Sequence, residues 1–515
     1  MTKTRTAIII GGGHNGLVCA AKLAKAGFAV TLLEARRAVG GAIAKRELGH
    51  GFSSPGLAHG HYNLHPDILK DLNLPSRAGA TIDTIALARD GGHLRLGSDA
   101  VDGQSLSAAD KAAYSAFKTE YRAYAKALEP LLKNKPPRLR GMDFKDKRTL
   151  AQIGWSLRMG LGLSSMREFL RVGGVNIYDV LNEHFESEAL KGAIALDAVL
   201  GHHMGPRTPT TVLTYLQRLF GETHSAYQPA VDASLVKQLV RAAEAAGVVI
   251  KTEARVTALE IDDQRVVGVR LVNGEYVEAD IVASSLDAKA TFLNLAGPPN
   301  MDAMFVHRIS KTRTNGDVAK VYLGLSKAPA FNNLSADDLT NRLVVAPDMR
   351  YLERAFNAAK YGEFSQAPAL EILTPSAHDP SLAPDGGHVL SINASFAPYE
   401  LREGWSYARE KFADLVVATL DAYAPGIGKL ILHRDVLTPV DIEREFGATG
   451  GHWHHGEMTI DQSFMMRPVH GAAQYDTPID GLFLCGAAAH PGGGVTGLPG
   501  WNAARRILDM AKERP

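Results

Sequence analysis

The chain has 515 residues, of which 56 are Lys or Arg and 55 are Asp or Glu, so its formal net charge at pH 7 is +1. A charge this close to zero offers no overall basic surface for nucleic acid. The length exceeds a single ordinary core and predicts two domains, and a hydrophobic content of 45% is typical of a globular enzyme.

Targeting and membrane-spanning segments are not evident in the sequence. Met1 lies six residues before a strand-like run, which leaves no room for a signal peptide. No uncharged apolar run reaches the length of about 18 residues that predicts a spanning helix. Cys19 and Cys485 form no C-x-x-C motif, so we expect two buried thiols, although a single disulfide between them stays open. The expected location is cytoplasmic, with peripheral membrane contact left open.

The first predicted elements form a βαβ unit. AIII (7–10) is a short apolar run typical of a strand buried on both faces of a parallel sheet. LVCAAKLAKAG (17–27) has apolar residues at helical spacing and ends in a glycine, which suits a helix C-terminus. FAVTLLE (28–34) predicts a second strand that ends in an acidic residue. The glycine-rich stretch GGGHNG (11–16) connects the first strand to the helix.

This glycine-rich stretch satisfies G-x-G-x-x-G with Gly11, Gly13 and Gly16. The first glycine allows a tight turn, the second lets the backbone approach a pyrophosphate, and the third lets the helix lie close to the strand. The helix N-terminus, at Asn15, offers free N–H groups to phosphate. Glu34 stands 21 residues after Gly13, where an acid binds ribose hydroxyls and disfavours the 2′-phosphate of NADP. Together these residues predict a dinucleotide site.

A second glycine pair follows in EARRAVGGA (34–42). The pattern E-A-R-x-x-x-G-G resembles flavoproteins of the amine oxidase, protoporphyrinogen oxidase and phytoene desaturase type, in which the Gly-Gly backbone closes over the FAD phosphates. The resemblance implies FAD as cofactor. Those proteins usually carry Arg after the glycine pair, where this chain has Ala, so Arg36 or Arg37 is expected to supply the missing cation. The resemblance adds to the predicted FAD-binding residues Ala35, Arg36, Gly40, Gly41 and Ala42.

The middle of the chain predicts further elements of the same domain. Residues 235–247 predict an amphipathic helix, and VVIKTEARVTALEID (248–262) is strand-like. Residues 264–287 alternate like a hairpin, with NG as its turn, and end in a buried-looking strand. In the resembling family this block extends the FAD domain, and the residue that matches Val256 contacts the adenine through its backbone.

Two other regions differ in texture. Residues 76–224 look helical, whereas 301–440 contain strand-like VAKVYLGLS (318–326) and HVLSINASF (388–396) and a helix around 406–423. We interpret them as one substrate domain inserted twice. The predicted fold class is α/β: a Rossmann-type FAD-binding domain, with a parallel sheet and an added β-hairpin, interleaved with a mixed α+β substrate domain. The predicted FAD-binding domain comprises 1–75, 225–300 and 441–515, and the substrate domain comprises 76–224 and 301–440.

G-x-G-x-x-G occurs again near the C-terminus, at Gly492, Gly494 and Gly497. Here GAAAHP separates the motif from the strand-like LFLC, and no second strand with an acid follows, so a second dinucleotide domain is not predicted. DGLFLCGAAAHPGGGVTG is instead similar to the C-terminal flavin motif of phytoene desaturases. The resemblance implies that Gly486 lies by the FAD diphosphate and ribitol, and that Val495 and Thr496 face the flavin pyrimidine. The two motifs are therefore predicted to form one FAD site.

FAD without a nicotinamide domain or a dithiol favours two-electron oxidation of an organic substrate at flavin N5. The candidates for handling the proton are His490, beside the flavin motif, and His455 and Glu457, in GGHWHHGEMTIDQSFMMRP (450–468), a stretch that points to one branch of phytoene desaturase-like oxidoreductases. Structural roles for all three remain open. The histidines at 59, 61 and 65 match no known zinc pattern, so no metal site is predicted.

The expected reaction is desaturation or dehydrogenation of a small apolar substrate, either carotenoid- or isoprenoid-like or alicyclic, with oxygen or a quinone as electron acceptor. Two alternatives stay open: a flavin amine oxidase, for which no aromatic cage is evident, and a non-catalytic binding or escort protein on the same scaffold. The intact C-terminal flavin motif argues against the escort protein.

Overall fold

A computed structural model describes residues 4–76, 81–138, 140–231 and 234–513. The strands are β1 (Thr6–Ile10), β2 (Ala29–Leu33), β3 (Lys45–Gly49), β4 (Phe52–Pro55), β5 (Gly60–His61), β6 (Thr84–Ala86), β7 (Leu94–Leu96), β8 (Val101–Asp102), β9 (Gln228–Pro229), β10 (Val249–Lys251), β11 (Val256–Asp262), β12 (Arg265–Leu271), β13 (Tyr276–Glu278), β14 (Ile281–Ser284), β15 (Val318–Leu325), β16 (Arg342–Val345), β17 (Leu370–Leu373), β18 (His388–Ser395), β19 (Ile431–Leu437) and β20 (Leu482–Leu484).

The α-helices are α1 (His14–Lys25), α2 (Pro66–Leu72), α3 (Ala108–Ala127), α4 (Glu129–Leu132), α5 (Phe144–Trp155), α6 (Gly162–Val172), α7 (Ile177–His184), α8 (Glu188–Val199), α9 (Thr211–Glu222), α10 (Ser234–Ala245), α11 (Ala303–Ser310), α12 (Met349–Lys360), α13 (Trp405–Asp421), α14 (Pro439–Phe446) and α15 (Leu498–Glu513). Within these described elements, no helix is both long enough and apolar enough to cross a bilayer.

A five-stranded parallel sheet has the order β10-β2-β1-β14-β20. The chain leaves β1 through α1 and pairs β2 on one side, whereas β14 and β20 pair on the other side from much later in the sequence. The strand order reverses at β1, and such a point opens a crevice at the carboxyl ends of the strands. The glycine-rich turn after β1 lies at this crevice. The predicted βαβ unit is observed, with α1 beginning three residues earlier than predicted.

The predicted hairpin is also observed. Strands β11, β12 and β13 form a three-stranded antiparallel sheet. The turn between β12 and β13 contains Gly274 at a φ of 85°, and its N–H donates to the carbonyl of Leu271 at 2.9 Å. The predicted strand region at 248–262 is divided into β10 and β11, so that its two halves join different sheets.

An eight-stranded sheet has the order β19-β15-β18-β17-β16-β6-β7-β8 and is antiparallel except between β16 and β6. The predicted strands at 318–326 and 388–396 are its β15 and β18. The helical prediction for 76–224 is incomplete, because β6, β7 and β8 lie in that region. These strands have only two or three residues each, too few for a periodic pattern, and β6 pairs with Arg342, which lies far along the chain. Residues 77–80 lie outside the described residues.

The strands of the five-stranded sheet all come from 1–75, 225–300 and 441–515, and those of the eight-stranded sheet come from 76–224 and 301–440. On this basis we propose the same division into two interleaved domains. Cys19 and Cys485 are buried free thiols in the core around the five-stranded sheet.

Helix α13 covers one face of the eight-stranded sheet. Phe412 on this helix is fully buried and lies edge-on to Phe364 and Trp405, with ring centroids 5.3 and 5.6 Å away. We predict that Phe412→Ala lowers the free energy of unfolding by about 3–5 kcal/mol, because it leaves a cavity under the helix. Tyr407→Ala is the control on the same helix: that side chain is 66% exposed, and the expected loss is below about 1 kcal/mol. Urea denaturation checks both, and equal losses would contradict this account of the core.

Candidate functional site

A cavity of about 730 Å³ lies at the crevice and extends between the two sheets. Thirteen of the seventeen predicted site residues line it: Gly11, Gly13, Asn15, Gly16, Glu34, Ala35, Arg36, Gly41, Ala42, Val256, His455, Val495 and Thr496. Four do not: Gly40, Gly486, Glu457 and His490. Both glycine motifs therefore contribute to one cavity.

The N-terminal glycines differ in what lies beside them. A Cβ on Gly16 would lie 2.1 Å from the carbonyl oxygen of Gly11, so only glycine lets α1 approach the turn this closely. Gly11 has a φ of 93°, and its carbonyl accepts a hydrogen bond from Ser285 Oγ at 3.1 Å. A Cβ on Gly13 would meet no protein atom within 4 Å. The space beside Gly13, at the N-terminus of α1, is therefore open for a phosphate.

Glu34 directly follows β2 and has a buried carboxylate. Its Oε2 accepts from the N–H of Gly12 at 2.8 Å, and its Oε1 accepts from the N–H of Arg36 at 2.9 Å. These two bonds fix the carboxylate at the cavity wall and leave lone pairs for ribose hydroxyls. Gly40, one residue behind the wall, donates its N–H to the carbonyl of Gly12 at 2.8 Å and holds the second glycine pair against the first turn.

Two buried polar atoms at this end of the cavity have no hydrogen-bond partner among the described residues: Asn15 Oδ1 and Arg36 Nη1. The Arg36 guanidinium lies over the ring of Phe446, 4.8 Å from its centroid. Arg37 instead points outward, 91% exposed, and pairs with Glu253. Of the two arginines considered for the missing cation, Arg36 is therefore the one at the cavity. Open space beside Gly13, an unpartnered guanidinium nitrogen and a fixed acid suit a dinucleotide such as FAD.

The C-terminal motif meets the N-terminal motif directly. His14 Nε2 lies 3.2 Å from the carbonyl oxygen of Gly494. A Cβ on Gly500 would lie 2.0 Å from the carbonyl oxygen of Asn15, so α15 packs closely against the start of α1. Gly486 plays a similar part behind the wall, because its Cβ would lie 2.1 Å from the carbonyl oxygen of Ser285.

His490 and Glu457 are held by contacts away from the cavity. His490 is fully buried, its Nε2 lies 2.9 Å from the carbonyl oxygen of Leu131, and burial lowers its pKa to about 4. Glu457 accepts from Arg313 Nε at 2.7 Å and from Asn315 Nδ2 at 3.2 Å. These contacts favour structural roles for both residues, because each side chain binds a neighbouring segment of the protein and does not face the cavity.

His455 is the predicted proton-handling residue that the structure brings to the cavity. It is held at a φ of 56°, and its Nδ1 is buried with no hydrogen-bond partner among the described residues. Burial lowers its pKa. The imidazole is therefore held towards its neutral form, with the unpartnered Nδ1 at the cavity wall.

The histidines at 59, 61 and 65 bind three different partners. His59 Nε2 lies 3.0 Å from Glu371 Oε2, His61 Nδ1 lies 2.6 Å from its neighbour's carbonyl oxygen, and His65 caps α2 by accepting from the N–H of Asp67. Within the part of the chain that the structure describes, no three His, Cys, Asp or Glu side chains come together in a way that could hold a metal ion.

Sequence reasoning missed an ionic network at the end of the cavity away from the glycine motifs. Arg218 Nε lies 3.0 Å from Asp197 Oδ1, and Arg342 Nη2 lies 2.7 Å from the same oxygen. Arg342 Nε lies 2.6 Å from Glu371 Oε1. Asp197, Arg218 and Glu371 line the cavity. The sequence gives one signal of this network, which is Glu371 inside the otherwise apolar strand LEIL (370–373).

The network continues to the middle of the eight-stranded sheet. Asn393 Nδ2 donates to Glu371 Oε2 at 2.7 Å, and Lys320 Nζ donates to Asn393 Oδ1 at 2.9 Å. Burial lowers the pKa of the Lys320 ammonium well below its ordinary value, and burial also lowers the pKa of His59 to about 4. Both bases are therefore held towards their neutral forms.

The sequence pattern of the family described as flavin containing amine oxidoreductase matches residues 16–508. The chain belongs to this family, and it is an FAD-dependent oxidoreductase. This family membership confirms FAD as the cofactor.

Particular relatives narrow the comparison. Pyridine nucleotide-disulfide oxidoreductase domain-containing protein 2 of Rattus norvegicus is 33% identical, over 98% of this chain and 93% of that protein. The lycopene-forming phytoene desaturase of Pseudescherichia vulneris is 26% identical, over 66% of this chain and 69% of that protein. The expected resemblance to phytoene desaturase-like oxidoreductases is confirmed. A putrescine oxidase solved with bound putrescine has the same fold, with a TM-score of 0.61 at 15% identity over 99% of each chain.

Two alanine variants separate cofactor space from packing. We predict that Gly13→Ala leaves the apoprotein folded, because the added methyl meets no protein atom, but weakens FAD binding about tenfold or more by entering the phosphate space. Gly16→Ala should lose stability even without FAD, because its methyl collides with Gly11. Circular dichroism of the apoproteins and FAD titration followed by fluorescence check the pair. A Gly13→Ala variant that binds FAD like the unmodified protein would contradict the assigned phosphate position.

Proposed function

We propose that the protein desaturates or dehydrogenates a largely apolar organic molecule. When bound, FAD would supply hydride acceptance at N5 from a substrate C–H, with oxygen or a quinone as the final electron acceptor. The observation that carries the proposal is the single cavity, lined at one end by both glycine motifs and at the other by residues of the substrate domain. A substrate held there lies beside the cofactor site.

The residues of the chain divide the remaining tasks. The two glycine motifs and Glu34 hold the cofactor, and α9 with the eight-stranded sheet encloses the substrate. His455, an imidazole held towards its neutral form at the cavity wall, is our candidate to accept the proton that leaves the carbon next to the hydride donor.

A flavin amine oxidase is the second candidate. Tyr62 and Tyr227 both line the cavity, with ring centroids 5.2 Å apart and planes tilted by 60°. Such a pair could receive a substrate ammonium through cation–π contact. However, the guanidinium of Arg218 already lies 5.2 Å from the centroid of the Tyr227 ring. An ammonium at that ring would meet a like charge, so the desaturase or dehydrogenase function is favoured.

The visible spectrum of the purified protein is the first test. We expect the two absorption bands of oxidised flavin, their loss on anaerobic photoreduction, and their return when air or a quinone is added, because one FAD site is predicted. Rapid return in air identifies oxygen as acceptor, and return only with the quinone identifies the quinone. In stopped-flow mixing, isoprenoid or alicyclic compounds should bleach the flavin and primary amines should not. A colourless protein that takes up no FAD, or bleaching by amines alone, would overturn the proposal.

We also propose that the protein touches a membrane surface at the segment from Phe144 to Val172. Phe144 is 81% exposed, Trp155 70%, Met159 58% and Leu170 65%. This segment comprises α5, a π-helical turn at Ser156–Gly160, and α6. Residues 144–172 contain six Lys or Arg and two Asp or Glu. Exposed apolar side chains among excess basic ones match the headgroup region of an anionic bilayer.

Vesicle binding tests this surface. We expect the protein to co-sediment with phosphatidylcholine vesicles that contain phosphatidylglycerol and less with pure phosphatidylcholine, and the emission of Trp155 to shift to shorter wavelength as its ring leaves water. Phe144→Ser with Trp155→Ser should abolish sedimentation, while Tyr407→Ser, at another exposed aromatic residue, should not. Equal binding by the double variant and the unmodified protein would rule out this surface.

A further inference from the structure

Arg218 faces the cavity from α9 with unused hydrogen-bonding capacity. Its side chain is 19% exposed, and the residue lines the cavity. Nε lies 3.0 Å from Asp197 Oδ1, whereas the two terminal nitrogens make no hydrogen bond to any described residue. Neither nitrogen belongs to the unpartnered polar atoms that are fully buried, so both are accessible. A guanidinium edge is therefore presented to the cavity space.

Tyr227 adds a second donor to the same cavity. Its ring lies under the guanidinium, and its hydroxyl likewise has no partner among the described residues. Burial raises the pKa of the Tyr227 hydroxyl, which therefore remains protonated and can donate. An unpartnered guanidinium edge and a protonated hydroxyl that line one cavity call for an oxygen acceptor on a ligand.

Arg218 shares its carboxylate partner with a second arginine. Asp197 is shared between Arg218 and Arg342, which lie 3.0 and 2.7 Å from the same oxygen. Glu371 pairs with Arg342 and His59 at the far side of the network. Lys320, held towards its neutral form by burial, adds little positive charge there. Among the described residues, Asp197 is the one carboxylate within 4 Å of Arg218, and Arg342 shares it, so the terminal nitrogens of Arg218 stay available to a ligand.

We propose that Arg218 and Tyr227 form a subsite for a carboxylate of the substrate, so that the substrate is an apolar molecule ending in a carboxylate. This inference rests on the proposed function and names its substrate class. A guanidinium is planar and binds both oxygens of a carboxylate at once, which neither an alcohol nor a hydrocarbon can match. Anchoring at this end fixes which carbon of the apolar body reaches the cofactor end of the cavity.

Three probes of equal chain length test the subsite: decanoate, decanol and decylamine. Each is titrated into the FAD-loaded protein, with binding read from perturbation of the flavin absorption bands and from the thermal midpoint. The expected order is decanoate first, decanol weaker and decylamine weakest. Arg218→Gln should weaken decanoate about 10- to 100-fold and leave decanol unchanged, because a hydrogen-bonded charge pair is lost. Equal affinity for decanoate and decylamine in the unmodified protein would overturn the inference.

Further variants separate recognition from stability. Arg218→Lys keeps the charge but loses the fork and should retain part of the preference, and Tyr227→Phe should weaken decanoate less than Arg218→Gln does. Arg207→Gln is the control, since that arginine is exposed, lies over Tyr178 and does not line the cavity. If Arg218→Gln does not fold, Tyr227→Phe and Arg218→Lys decide, and unchanged decanoate affinity in both would refute the subsite.

The subsite and the proposed function fail in different ways. A protein that binds FAD but shows no preference for decanoate refutes the subsite alone. A protein that takes up no FAD refutes the proposed function, and the thermal shift with decanoate then still decides whether Arg218 binds a carboxylate.

Discussion

The contact between residue 16 and the carbonyl of Gly11 is the constraint on which the cofactor end of the molecule depends. An ideal Cβ on Gly16 would lie 2.1 Å from that oxygen, so the approach of α1 to the turn requires a bare Cα. Ser285 Oγ donates to the same carbonyl and to that of Ile10, and Gly486 fits against the carbonyl of Ser285. Three segments far apart in the chain thus meet at a few backbone atoms, where the strand order of the sheet reverses.

Sequence patterns predicted what local geometry determines. The βαβ unit and the hairpin are built from hydrogen bonds and apolar contacts between near neighbours, so their signals lie within short windows. Adjacency in sequence did not predict side-chain direction. His490 stands beside the flavin motif, yet its ring turns to the carbonyl of Leu131, 359 residues away, and not to the cavity. Strand β6 was not predicted either, because it pairs with β16 at Arg342, which lies in the other insertion.

The ionic network around Glu371 could not be predicted from the sequence, because its partners lie far apart in the chain. A carboxylate such as Glu371, buried in an apolar strand, is strongly disfavoured unless charges and donors surround it. Here Arg342, His59 and Asn393 surround it, and they come from separate segments. No window of the sequence contains two of these partners. Removing one partner would leave a buried charge unpaired, so the network constrains the wall as tightly as packing constrains the glycine turns.

The two ends of the cavity therefore follow different rules. The cofactor end is formed largely by backbone, and the absence of Cβ atoms there leaves a recognisable glycine pattern. The substrate end is formed by side chains whose charges decide what can enter, and a shared fold does not carry those charges from one relative to another. In a family described as flavin containing amine oxidoreductase, this chain places the guanidinium of Arg218 over the ring of Tyr227, 5.2 Å from its centroid. A cation of the protein therefore covers this aromatic face, and the substrate that we propose meets it with a carboxylate.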